Sequence, residues 1–329
     1  MKVTLLNEAD IRSCVGFSPE AMAAVAEGFT RLAQGRAYAP PVVSIDVAEH
    51  HGDVDIKTAY IHGLDSFAVK VASGFFDNPA KGLPYGSGVM ILISAETGFL
   101  QALLDDNGYL TELRTGLAGA IAAQYLARCD AATAGIVGSG SQARYQLRGL
   151  KLVRDIKKVL VYGIAAGDAV RYAAEMSAEL DLEVQVAPNV ETVVRGSEVV
   201  ITTTPSRQPY IEAEWLHPGL HITAVGSDLP GKHELHTACL ARADRVVCDR
   251  VSQCFMLGEL QYAKAARVIA ESRVDELGEL TVGAKHGRRY DDEITICDLT
   301  GVGVQDTAIA RLAYARAAAQ GLGSEFSSD

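Results

Sequence analysis

The sequence predicts an α/β protein of two domains: a doubly wound parallel sheet, and an α+β domain with a mostly antiparallel sheet. Three observations lead there. The chain has 329 residues, more than one domain ordinarily takes. From Ala131 onward, apolar β runs alternate with helical patterns, which indicates parallel strands covered on both faces. Before Ala131, short β-like runs follow one another with only turn residues between them, as in antiparallel sheets.

The elements follow in order. A helix is expected from Pro19 to Ala33, because Ser18 can cap it, Pro19 suits its first turn, and Ala21, Val25, Phe29 and Leu32 recur at helical spacing. Strands are expected at Val42–Val47, Val54–Ile61, Phe67–Ala72, Gly88–Ser94 and Phe99–Leu104, parted by turn formers such as Asp77-Asn78-Pro79. A helix of small residues, about Thr111 to Ala127, has an Ala/Gly face that lets another backbone come close. The parallel strands fall at Gly135–Val137, Val159–Tyr162, Val184–Val186, Val199–Thr203, His221–Val225, Arg245–Cys248 and Ile294–Cys297. A last Ala-rich helix, about Asp306 to Ala319, is expected to pack back on the first domain, and Gly323–Asp329 reads as a polar tail.

Composition narrows the partners. Hydrophobic residues at 48% and charged residues at 22% are ordinary for a globular chain and exclude a disordered or fibrous one. A net charge of −11 argues against nucleic acid as a partner, while leaving room for a local cationic pocket that takes a small anion. The N-terminus lacks the apolar core of an export signal, and no run reaches the roughly 18 apolar residues of a membrane span. A cytoplasmic protein with no membrane partner is therefore expected. Six cysteines stand without a CxxC pair or histidine spacing, so they read as reduced, mostly buried thiols and not as a metal site.

The most informative stretch is Thr133-Ala134-Gly135-Ile136-Val137-Gly138-Ser139-Gly140-Ser141-Gln142-Ala143, a buried strand that ends in a glycine turn and opens a helix. Gly138 permits the turn, Gly140 leaves space for a pyrophosphate, Ala143 permits close packing, and the helix-start amides of Ser139, Ser141 and Gln142 can meet phosphate oxygens. This predicts a bound dinucleotide. The acid that usually holds its ribose about 20 residues further on is missing: the second strand ends in Gly163-Ile164-Ala165-Ala166. No arginine or lysine stands there for a 2′-phosphate either, which leans the reading to NAD(H) over NADP(H). Asp168 and Arg171 read as first-turn helix residues without a cofactor role. Thr202, Thr203 and Thr204 end a later strand, where they either border the cofactor or lie buried as strand threonines often do. Lys70 and Arg114 read from pattern alone as solvated charges, whereas Asp228 follows a β run, where doubly wound folds place ligand groups.

Further motifs give these residues a context: Gly82-Leu83-Pro84, Thr97-Gly98, Leu110-Thr111 with Arg114-Thr115, Tyr125-Leu126-Ala127-Arg128, Gly226-Ser227-Asp228, and Leu299-Thr300-Gly301-Val302-Gly303-Val304-Gln305-Asp306. With the glycine turn, they make nearly the whole chain resemble the ornithine cyclodeaminase/μ-crystallin family. His50-His51-Gly52-Asp53-Val54-Asp55-Ile56-Lys57-Thr58-Ala59-Tyr60 and Leu64-Asp65-Ser66-Phe67-Ala68 resemble most its ectoine-utilisation cyclodeaminase-like branch, which includes iminosuccinate reductase.

The resemblance implies a substrate and dimerisation domain from residues 1–120 and 306–329, a Rossmann domain from 121–305, and a homodimer built through the substrate domains. It implies Lys70 and Arg114 as carboxylate binders, Lys70 counting with the catalytic residues, and Asp228 as acid/base. Gly226 and Val302 join Gly138, Ser139, Gly140, Ser141, Gln142, Thr202 and Thr203 around the cofactor. Many members carry an arginine just after the proline near position 41, where this chain has Val42-Val43-Ser44; Lys57 or a histidine of His50-His51 is the candidate replacement. The implied chemistry is hydride transfer at a C=N carbon of a small imino or amino acid, iminosuccinate to aspartate being the best match. Ornithine or lysine cyclodeamination is the enzymatic alternative, and a non-catalytic ligand-binding role is the alternative of another class.

Overall fold

The computed structural model describes residues 2–327. Its elements are β1 (Lys2–Asn7), α1 (Glu8–Cys14), α2 (Pro19–Ala33), β2 (Ala37–Tyr38), β3 (Val43–Val47), β4 (Gly52–Ile61), β5 (Ser66–Phe75), β6 (Gly86–Ser94), β7 (Leu100–Asp105), α3 (Tyr109–Leu126), β8 (Thr133–Val137), α4 (Ser141–Val153), β9 (Lys158–Tyr162), α5 (Ala166–Leu180), β10 (Glu183–Val186), α6 (Val190–Arg195), β11 (Val199–Thr202), β12 (His221–Ala224), α7 (Thr237–Arg242), β13 (Arg245–Cys248), α8 (Val251–Leu257), α9 (Leu260–Ala265), β14 (Val274–Glu276), α10 (Leu277–Thr281), β15 (Thr295–Asp298), α11 (Gly303–Gln320) and β16 (Ser324–Ser327).

They form two compact units, one from the chain up to Arg114 together with the chain from Val302, the other from Thr115–Gly301. The first unit holds a sheet in the order β16-β1-β7-β6-β5-β4-β2, with β3 also on β4. Its pairs are antiparallel except β1 with β7. One face carries Ala59, Ala68, Met90, Leu92, Ala102 and Leu104, all fully buried, with helices α2 and α11 adding Val25, Phe29 and Ile309 to the core. Helix α11 lies very close to β4: a Cβ on Gly303 would sit 2.2 Å from the Thr58 carbonyl oxygen. Thr307 fixes the contact, its hydroxyl donating to Ala59 O and accepting from Ala68 N.

The second unit is an all-parallel sheet in the order β10-β9-β8-β11-β12-β15-β13-β14. Strand order reverses at β8, so the crevice beyond the carboxyl ends of β8 and β11 is where such a sheet binds ligands. Helix α3 from Thr115 packs here: a Cβ on Gly149 of α4 would meet Gly116 O at 2.3 Å, and Gln146 Nε2 donates to Thr115 O. This places residues 115–120 with the second unit, while residues 302–305 open α11 and fall with the first.

The structure corrects some expectations. Ser324–Ser327 is not a loose tail but a strand in antiparallel register with β1, Lys2 facing Ser327; the rest of the expected tail, residues 328–329, lies outside the described residues. β16 is exposed throughout and β1 is largely half-buried without alternation, so their backbone ladder forms without an apolar period to announce it. Helix α1 was missed because it has seven residues and only Ile11 and Cys14 buried; its sequence mark was the Asn7–Asp10 capping box. All six cysteines are free and five are buried, Cys129 being exposed. Among the described residues no helix is long and apolar enough to cross a membrane.

The close approach of α11 to β4 gives a direct test. Gly303→Val should lower unfolding stability by about 2 kcal/mol in urea denaturation, since the backbone of Thr58 cannot move aside cheaply.

Candidate active site

The first unit gathers charge inside its core. Lys57 on β4 and Lys70 on β5 are direct cross-strand partners, so their side chains share one face of the sheet. Asp55, two residues before Lys57, lies on the same face. Helix α3 adds Arg114 and α11 adds Asp306 from its first turn. All five are buried: Asp306 at 0% exposed, Lys70 at 2%, Arg114 at 4%, Lys57 at 5% and Asp55 at 8%. Reading Lys70 and Arg114 as solvated charges is thereby overturned.

Asp306 holds the cluster together. Arg114 Nε lies 3.0 Å from its Oδ1 and Lys70 Nζ 3.8 Å from its Oδ2. Gln305, its neighbour, braces the arginine: Arg114 Nη1 donates to Gln305 Oε1, which also accepts the backbone N–H of the buried Val302. Asp55 Oδ1 has no hydrogen-bond partner in the structure. Burial pushes the Lys70 ammonium down to about 7; Asp306 opposes that shift most strongly, Arg114 and Lys57 add to it, and Asp55 opposes it again. Sequence reasoning did not single out Asp55, Gln305 or Asp306, although Gln305-Asp306 closes one of the quoted motifs. No rule of spacing separates a pocket carboxylate from an ordinary helix-start acid.

The second unit carries the glycine turn at the carboxyl end of β8. Gly138 has φ +108°, and a Cβ there would strike Thr203 Oγ1 at 2.5 Å, so both conformation and space require glycine. A Cβ on Gly140 would point into open space. Gly140 is also the N-cap of α4, and no side chain caps that helix. An open cradle in front of uncapped amides fits a pyrophosphate. Ser139 and Ser141 lie at this turn, whereas Gln142 Oε1 accepts from Gln146 Nε2.

Glu234, fully buried, organises the neighbouring strand ends. It accepts hydrogen bonds from Thr202 Oγ1, Thr204 N, Thr204 Oγ1, Tyr210 OH and Gly226 N, at 2.6 to 2.8 Å. Thr202 and Gly226 thus face this carboxylate, and Thr203 is the threonine against the glycine turn. Burial pushes the Glu234 carboxyl up, against the pull of those donors. The loop after β12 also carries Asp228, whose Oδ1 takes a 2.7 Å bond from Lys232 Nζ. Of His233, His236, Asp291 and Asp292, His233 is the buried one, stacked on Tyr262 with ring centroids 3.8 Å apart. The other three are exposed. Among the described residues no group of His, Cys, Asp and Glu could hold a metal ion.

A doubly wound sheet with an open glycine turn in one unit, and a buried cluster of charged side chains in the other, define a Rossmann-type α/β protein. More particularly, the chain belongs to the ornithine cyclodeaminase/mu-crystallin family, whose model matches residues 1–321. An archaeal alanine dehydrogenase dimer with bound NAD superposes with TM-score 0.92 at 38% identity, covering 100% of both chains. The Thermococcus litoralis Δ1-pyrroline-2-carboxylate reductase, in complex with NADH and L-proline, gives 0.93 at 32%, covering 98% of this chain and 99% of that one. The iminosuccinate reductase of Paracoccus denitrificans, in complex with NAD+, gives 0.90 at 30%, covering 99% and 100%.

The low proton affinity of Lys70 sets a pH dependence. Its charge is present below about 7 and lost above. Inhibition by a non-reacting dicarboxylate such as succinate should therefore weaken as pH rises from 6 to 9, and Lys70→Gln should flatten the profile; an unchanged inhibition constant across that range would contradict the assignment.

Proposed function

We propose that the protein is an NAD(P)H-dependent imine reductase acting on a small α-imino acid, with iminosuccinate to L-aspartate as its reaction. The observation that carries this reading is Lys57 directly opposite Lys70 in the buried cluster. Like charges facing each other across strands destabilise a sheet. Three cations, Lys57, Lys70 and Arg114, stand against Asp55 and Asp306, which leaves one positive charge in excess while Lys70 is protonated. A doubly anionic substrate offsets that excess, whereas the distal amine of ornithine or lysine would add to it. NADH is favoured over NADPH because Gly163-Ile164-Ala165-Ala166 offers no cation for a 2′-phosphate.

The residues divide the work. Arg114 takes one carboxylate with its planar fork and Lys70 shares it, while Lys57 takes the second. The dinucleotide, when bound on the glycine turn, supplies the hydride that reduces the C=N carbon. Asp228, held as a carboxylate by Lys232, positions the water that gives a proton to the imine nitrogen, and solvent restores the proton to that water. A cytoplasmic homodimer joined through the first unit completes the reading. That unit exposes Tyr38, Val43 and Ile45 on β2 and β3, and the paired rings of Phe76 and Tyr85, as an interface would.

Purified protein given NADH and enzymatically generated iminosuccinate should form aspartate, and should form little proline from ornithine with NAD. Asp228→Asn should lower kcat at least 100-fold, and Lys57→Met should raise KM about tenfold with a smaller change in kcat. Absence of aspartate formation rules the reaction out, and a wild type with no activity for Asp228→Asn to lose favours a binding protein. Light scattering should give the mass of a dimer, and Ile45→Lys should shift it toward the monomer.

A further inference from the structure

Arg144, on the second turn of α4, folds its side chain back over the glycine turn. Its Nη1 donates to Ser139 O at 2.7 Å and to Gly140 O at 3.0 Å. The guanidinium is held in turn from α5. Nε donates to Glu175 Oε2 at 2.9 Å, Nη2 pairs with the same carboxylate, and the group lies 5.2 Å over the Tyr172 ring. Tyr172 is itself fixed, fully buried and bonded through its hydroxyl to Ala143 O. None of these groups lies among the substrate-binding residues.

In a trans peptide the carbonyl and the following N–H point in opposite directions. Two carbonyls drawn toward Arg144 therefore turn the N–H groups of Gly140 and Ser141 the other way, out of the turn. Glycine lets this peptide chain rotate freely, and Gly140 meets no side chain that would set its orientation. We propose that Arg144 is a positioning residue that locks the two peptides of the glycine turn with their amides presented to the cofactor pyrophosphate. It acts through fixed geometry and not as a phosphate ligand, since its donors are committed to the carbonyls and to Glu175. The inference rests on the turn being the dinucleotide site.

The test uses the full-length enzyme and titrates NADH by its fluorescence, with no imine present. Arg144→Gln should weaken NADH binding about tenfold and raise KM for NADH in step, while kcat at saturating NADH stays within twofold and the melting temperature within a few degrees. Arg144→Lys retains the charge but loses the fork, so it should weaken binding nearly as much. Glu175→Gln, which touches no part of the turn, should weaken it severalfold. If Arg144→Lys binds NADH as the wild type does, charge and not geometry is at work and the proposal fails. It fails also if the Arg144 variants lower kcat with KM for NADH unchanged, or if Glu175→Gln has no effect while Arg144→Gln does not fold. A wild type that binds no NADH overturns the nucleotide-site reading itself, and this proposal with it.

Discussion

The first unit is built around one fully buried carboxylate. Two cations, Lys70 and Arg114, stand within 4 Å of Asp306 in the core of an otherwise apolar sheet-and-helix packing. Removing charge from water costs several kcal/mol per ion, and only a counter-charge makes it tolerable. Asp306 therefore sets where strand β5, helix α3 and helix α11 meet. Lys57, directly across from Lys70, depresses that lysine's proton affinity further.

The second unit solves a different problem with another buried acid. The chain leaves β11 and β12 in loops whose amides and hydroxyls would otherwise be stranded inside the protein. Glu234 takes five of their bonds and so fixes Thr204 and Gly226 relative to each other. The rigidity reaches Asp228 two residues later, where Lys232 secures the side chain. Asp249 does the same for the end of β15, accepting from Thr300 N and Gly301 N. Backbone polar groups beyond β11, β12 and β15 are thus satisfied by buried carboxylates, unlike the open amides at the end of β8.

Much of the fold could be read from the sequence, because periodicity reports burial directly. Seven of the eight parallel strands fall within one or two residues of the expected runs, the three-residue edge strand β14 being the exception, and the glycine turn falls where an apolar run meets a helix start. Strands β1 and β16 escaped, since neither has an alternating pattern of burial and each is made a strand by distant partners, β7 and β16 for β1, and β1 for β16. Of the candidate site, Lys70, Arg114 and Asp228 were named through family motifs, because a lone charge in a β run looks the same whether it points to water or to the core. Their surroundings were not legible. Asp55, Gln305, Asp306 and Glu234 matter through three-dimensional neighbours, and nothing in local sequence distinguishes a carboxylate that organises a pocket from one that faces solvent.

The division of the chain has a consequence for biosynthesis. The second unit comes from one continuous stretch, but the first needs both ends of the protein, and Arg114 meets Gln305 across 191 residues of sequence. A ribosome delivering the chain at roughly 5–20 residues per second exposes β4 and β5 for many seconds before α11 emerges. Throughout that interval Lys57 and Lys70 have been made but Asp306, which arrives with α11, has not. The parallel sheet, complete by Gly301, is free to close first, and the last helix then arrives to close the unit that began the chain.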